Sequence, residues 1–151
     1  MAGKQVGKNI SLSLFKSTFI IAAMTKLITK GIQISVETFY QREYSNPLMN
    51  EYMFAYRITI DNYNGFPIKL LSRKWFIHDS NASLENVQGE GVIGQQPVIQ
   101  PDEHFQYVSG CSLRTDVGKM HGFYIMENQH SYEQFEVAIP EFIMVCPDKL
   151  N

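Results

Sequence analysis

From residue 32 onward the hydrophobic positions recur every second residue, not every third or fourth. That period belongs to strands with one buried face. The stretch GIQISVETFY sets Ile32, Ile34 and Val36 against Gln33, Ser35 and Glu37. In EYMFAYRITIDNY, Tyr52, Phe54, Tyr56, Ile58 and Ile60 share one face, while Arg57, Thr59 and Asp61 share the other. NGFP then reads as a turn in which Asn64-Gly65 supplies the positive φ of a tight hairpin. IKLLSRKWFIHDS returns as a strand with Leu71, Trp75 and Ile77 on one face. Further strands are predicted over 84–88, 103–109, 119–127, 132–139 and 142–146, separated by turn signals in QPD, TDVG, ENQHS and IPE. No segment carries a capped helical stripe. Seven or so short strands at regular spacing predict an all-β sandwich, with a partly open barrel as the alternative. No repeat, low-complexity tract or linker divides it.

The 151 residues suffice for one domain with a real core. Hydrophobic content of 44% and charged content of 19% describe a soluble globular chain. Ten Phe, eight Tyr and one Trp reinforce the β expectation, because large stiff side chains suit a pleated, half-buried surface. The net charge of −2 conceals an asymmetry: residues 1–30 hold five Lys and no acid, and the rest holds eight basic against fifteen acidic residues. An acidic domain is a poor binder of phosphate backbones, so nucleic acid is not an expected partner, and neither is a membrane. Cys111 and Cys146 have no CxxC spacing and are read as free thiols in a reducing cytoplasm.

The basic lead is too short in its uncharged run, seven residues between Lys16 and Met24, to span a bilayer. It lacks a clear cleavage site and any arginine, so neither a secretory signal nor a mitochondrial presequence fits well. Residues 1–30 are therefore expected to be a disordered lead or an over-extended start, with the domain over 31–147 and a tail over 148–151.

Gly89, Gly91 and Gly94 spell GxGxxG, the spacing of loops that cradle a pyrophosphate. Such a loop needs a buried parallel strand before it and a helix N-terminus after it. Here SLENVQ is short and polar, and Pro97 and Pro101 interrupt the segment that would have to be helical. Glycines that allow bulges, bends or close backbone approach are the stronger reading. A small anion nest without a helix is the weaker one, opposed by the charge of Glu90.

Three blocks are more specific: LLSRKWFIHDSN, VQGEGVIGQQPVIQP and FQYVSGCSLRTDVGKMHGFY. In this order they resemble the ApaG family, a small bacterial domain that also occurs attached to some F-box proteins and to a polymerase delta-interacting protein. The resemblance runs from about residue 31 to Pro147. It departs at Asp102, where the family often has Gly, and at Phe123, where many relatives have His. It implies an immunoglobulin- or fibronectin type III-like β-sandwich, an association with cobalt resistance and magnesium efflux, and a protein-interaction role in the eukaryotic relatives. It supplies no catalytic residue.

The residues themselves supply none either. His78, His104, His121 and His130 lack the spacing that puts two ligands on one metal, which leaves only a site assembled from separate strands. Asp102-Glu103 and Glu85 read as solvated carboxylates before they read as Mg2+ ligands. Cys111 has no histidine at a telling distance, and Trp75 reads as core. Arg73-Lys74 reads as a solvated face ahead of a binding patch. The expectation is a non-enzymatic binding module without cofactor or metal, monomeric or weakly dimeric, with a protein partner. The alternative is a sensor of a metal- or phosphate-containing ligand, whose ligand-binding residues would be Gly89, Glu90, Gly91 and Gly94 with Arg73.

Overall fold

The computed structural model describes residues 5–6 and 24–150. Among the described residues, ten strands form two antiparallel sheets. In the first, β1 (Gln5–Val6), β8 (His104–Leu113), β4 (Tyr52–Asn62), β3 (Ile32–Tyr40) and β2 (Met24–Thr29) lie in that order. In the second the order is β10 (Gln134–Val145), β9 (Val117–Asn128), β5 (Ile68–Asp79) and β6 (Leu84–Glu90), and β7 (Val98–Ile99) continues the β6 edge by pairing the start of β5. The expected all-β sandwich is the architecture found.

The period-two pattern explains the core. Ile32, Ile34 and Val36 of β3, and Phe54, Tyr56, Ile58 and Ile60 of β4, are buried against Trp75, Ile77, Tyr124, Val137 and Phe142 of the facing sheet. Trp75 sits at the centre. Tyr56 meets it at 5.5 Å between ring centroids and Phe142 at 5.9 Å with perpendicular planes, the edge-to-face geometry that aromatic quadrupoles favour. Cys111 and Cys146 are buried free thiols, and Cys111 lies within β8, not at a turn.

Four expectations are corrected. The register of β5 slips between Leu70 and Ser72, so the inward residues are Ile68 and Leu70, then Trp75 and Ile77; Leu71 occupies the bulge and is only half-buried. Asn64-Gly65 closes no hairpin, because β4 and β5 belong to different sheets and neither residue has positive φ. The IPE stretch is no turn either: β10 runs through it with a bulge between Ile139 and Phe142. Pro140 is tolerated because β10 is an outer strand, where the missing N–H breaks no inner ladder. Finally, Met24–Thr29 is a strand paired along its whole length with β3, so the fold begins ahead of residue 31. Of the predicted lead, residues 1–4 and 7–23 lie outside the described residues, as does Asn151 of the tail. The rest of the tail falls within the 3-10 turn Pro147–Leu150, in which Asp148 pairs with Arg42 at 3.1 Å.

The crossing from β4 to β5 is pinned by Asn62, which is fully buried. Its Nδ2 donates to the carbonyls of Phe66 (2.9 Å) and Ile99 (3.0 Å), and its Oδ1 accepts from the Asn64 N–H (3.0 Å). A buried amide is stable there because every bond it lost to water is replaced. The last crossing, from β8 to β9, is held by Asp79, whose carboxylate accepts from the Ser80 N–H, the Arg114 N–H and the Thr115 hydroxyl.

Candidate functional site

The glycine motif lies at the end of β6, and each glycine has a local reason. Gly89 faces the guanidinium of Arg73: a Cβ there would come within 2.8 Å of Arg73 Nη1. Gly91 has φ +60°, and a Cβ on it would run into the Gln95 carbonyl. Gly94, at φ +75°, is the third residue of a tight turn over Val92–Gln95 closed by N–H to carbonyl bonds in both directions, 2.8 and 2.9 Å. Positive φ at both central residues is the type I′ pattern. The first of them is Ile93, at φ +44°, a conformation that a β-branched residue adopts only under strain.

The hydrogen bonds decide what this loop offers a ligand. The Gly91 N–H donates to the Leu71 carbonyl at 2.8 Å, and the N–H groups of Val92 and Gln95 are consumed by the turn. Arg73 turns onto the loop itself, Nη1 donating to the carbonyls of Glu90 (3.1 Å) and Gly91 (2.8 Å). The structure therefore brings Arg73, Gly89, Glu90 and Gly91 together, and their bonds hold the loop onto β5. Gly94 stands beyond them at the turn.

Arg73 also marks a change of face. With Trp75 inward, Ser72, Lys74, Phe76 and His78 of β5 stand on the outer surface of the second sheet. Across the ladder, β9 sets Ile125 opposite Ser72, Phe123 opposite Lys74, His121 opposite Phe76 and Lys119 opposite His78. The outer face thus carries a row of rings. Phe76 stacks on His121, centroids 5.0 Å apart and planes 12° apart, and Lys74 Nζ lies 5.2 Å from the Phe76 centroid. His78 and His121 meet through their Nε2 atoms at 3.1 Å. A shallow depression of about 460 Å³ lies between Lys74, Phe123 and Glu90, and another of about 220 Å³ between His78, Lys119 and Ile143.

Of the four histidines, sequence spacing paired none, and the structure pairs two. His104 starts β8 and His130 sits in the turn after β9, away from that pair. The clue was present in parity: His78 is three residues from Trp75 and so faces outward. What the sequence lacks is the β5–β9 register that puts His121 beside it. The carboxylates weighed as Mg2+ ligands are dispersed, Glu85 on β6 and Asp102-Glu103 in the turn before β8, where Asp102 adopts φ +61°. No group of three or more His, Cys, Asp or Glu side chains able to hold a metal occurs among the described residues. Burial pushes the Cys111 thiol up to about 12, which disarms it as a nucleophile at neutral pH. Among the described residues no helix is long and apolar enough to cross a membrane.

Comparison with known proteins agrees with this architecture. Residues 42–128 match the ApaG domain family. The chain is 44% identical over 126 residues to Protein ApaG of Brucella anthropi, covering 83% of this chain and 96% of that protein. It is 41% identical over 124 residues to Protein ApaG of Rhizobium meliloti, covering 82% and 95%. A crystal structure described as an ApaA protein of Bordetella pertussis superposes with a TM-score of 0.74 at 40% identity, over 77% of this chain and 94% of that one. An X-ray structure of a structural-genomics target gives 0.76 at 36% identity, over 83% and 94%.

Proposed function

The chain belongs to the ApaG family, and on that footing we propose that it is a non-catalytic binding module that docks a protein partner on the outer face of its second sheet. One observation carries the reading: on that face, successive outward positions of β5 and β9 hold Phe76, Phe123 and His121 beside Lys74, with no layer of the described chain over them. Aromatic side chains flanked by charge make good anchors, because they bury much area at little entropic cost while the charges orient the partner. The buried Cys111 and the internally bonded glycine loop argue against nucleophilic catalysis and nucleotide chemistry. The family resemblance attaches the module to cobalt and magnesium homeostasis, which such docking would serve by acting on a partner in that process.

A photo-reactive residue placed at Phe123 tests the reading against one placed at Thr59, on the outer face of the first sheet. The expected result is capture of one partner from Phe123 that is lost on Phe76→Ser. Equal capture from Thr59, or capture insensitive to Phe76→Ser in a protein with an unchanged melt, overturns it. The alternative, a sensor of a phosphate-containing ligand at Arg73, Gly89, Glu90, Gly91 and Gly94, has less support, since Arg73 already spends Nη1 on loop carbonyls.

A further inference from the structure

We propose that His78 and His121 form a two-nitrogen chelate for a borderline transition-metal ion such as Cu2+, Ni2+ or Zn2+, with water completing the coordination. The site needs no protein partner, so it stands or falls apart from the docking proposed above. It begins with register. Because Phe76 is opposite His121 and Lys119 opposite His78, the two histidines are diagonal neighbours on one face of adjacent strands. Their Nε2 atoms are 3.1 Å apart. Two metal–imidazole bonds of about 2.0–2.1 Å spanning that gap meet at about 95–102°. This lies between the roughly 90° of square and octahedral complexes and the roughly 109° of tetrahedral ones, so all three ions are accommodated.

The rings meet edge to edge, with centroids 5.2 Å apart and planes 20° apart, so one Nε2–H points at the other Nε2. A metal ion takes the place of that shared proton. The donor ring moves its proton to Nδ1, both Nε2 lone pairs become available, and each ring pivots by roughly 40° to aim at the ion. The ring torsion of histidine is broad and soft, so the pivot is cheap. Surroundings help. Phe76 backs the His121 ring, and desolvation together with the neighbouring His121 and Lys119 keeps His78 deprotonated to a lower pH than usual. Lys119 is the cation that opposes a bound metal, and Glu141 partly neutralises it at 3.6 Å. Imidazole is the ligand type that suits these ions, and a half-buried pair on the outer face of a sheet leaves open positions for solvent.

The test uses the untagged full chain, titrated calorimetrically with Cu2+, Ni2+ and Zn2+, alongside H78Q, H121Q and, as a control, H104Q. The expected outcome is one equivalent bound by the wild type and by H104Q. Binding should be weaker by on the order of 100-fold in both H78Q and H121Q, because each loses the second, intramolecular bond. A second measurement needs no variant: substoichiometric Cu2+ should broaden the imidazole resonances of His78 and His121 ahead of those of His104 and His130. Equal broadening of all four, wild-type protein that binds none of the ions, or H78Q and H121Q that bind like the wild type would each overturn the proposal.

Discussion

Three single residues show how the chain meets local cost. Ile93 sits at φ +44° in a type I′ turn that favours Asn or Gly. Ile93→Asn is expected to stabilise the protein by about 1 kcal/mol, read from denaturant melts, since it relieves the strain without touching the buried Val92. Gly91→Ala should act oppositely. It incurs the left-handed penalty of about 1–2 kcal/mol, and the clash with the Gln95 carbonyl adds to it. Added nucleotide should rescue neither melt. Glu85 carries a different cost. Its Oε2 is buried without a partner among the described residues, and desolvation raises its pKa above the ordinary carboxylate value. A raised acid holds its proton longer in the folded state than in the unfolded one. Stability therefore falls as pH rises through the window from the unfolded value to the folded one. Glu85→Gln should raise the melting temperature at pH 7 and leave it nearly unchanged at pH 4, where both states of the wild type are largely protonated. An equal rise at both pH values would mean that ionisation is not the cause.

At the scale of strands, the crossing between sheets matters more than any surface pair. Asn62→Leu leaves the Phe66 and Ile99 carbonyls and the Asn64 N–H without their partner, so about 2–4 kcal/mol of stability should be lost. The exposed pair Arg42–Asp148, with side chains 65% and 62% accessible, should give within about 0.5 kcal/mol on Arg42→Ala. Chemical denaturation of both variants checks the ranking. The inner faces of β3 and β4 were legible in the sequence because burial on one side leaves alternation behind. β2 was not: MTKLIT is mostly exposed, so pairing holds it in place without an apolar stripe. Leu71 misled because a bulge reverses parity and period counting assumes none. Asn64-Gly65 misled because a local turn signal cannot reveal that the flanking strands join different sheets. The candidate site failed to show for a related reason. Parity with Trp75 turns His78 outward, and only inter-strand register puts His121 beside it.

For the molecule as a whole, the two sheets share one core centred on Trp75, and the comparison structures keep the same sandwich. β10 packs not only on β9 in its own sheet but across onto β2 and β3 of the other. The last strand of the chain therefore seals the first long ones. That arrangement has a consequence for biosynthesis. Roughly ninety residues separate the end of β3 from the start of β10, so at 5–20 residues per second the face of Ile32, Ile34 and Val36 waits roughly 5–20 s for its cover. Nascent chains halted before Gln134 should be cleaved readily by protease while those released at full length resist it. Until its last strand leaves the ribosome, the newborn protein is expected to keep that apolar sheet face bare.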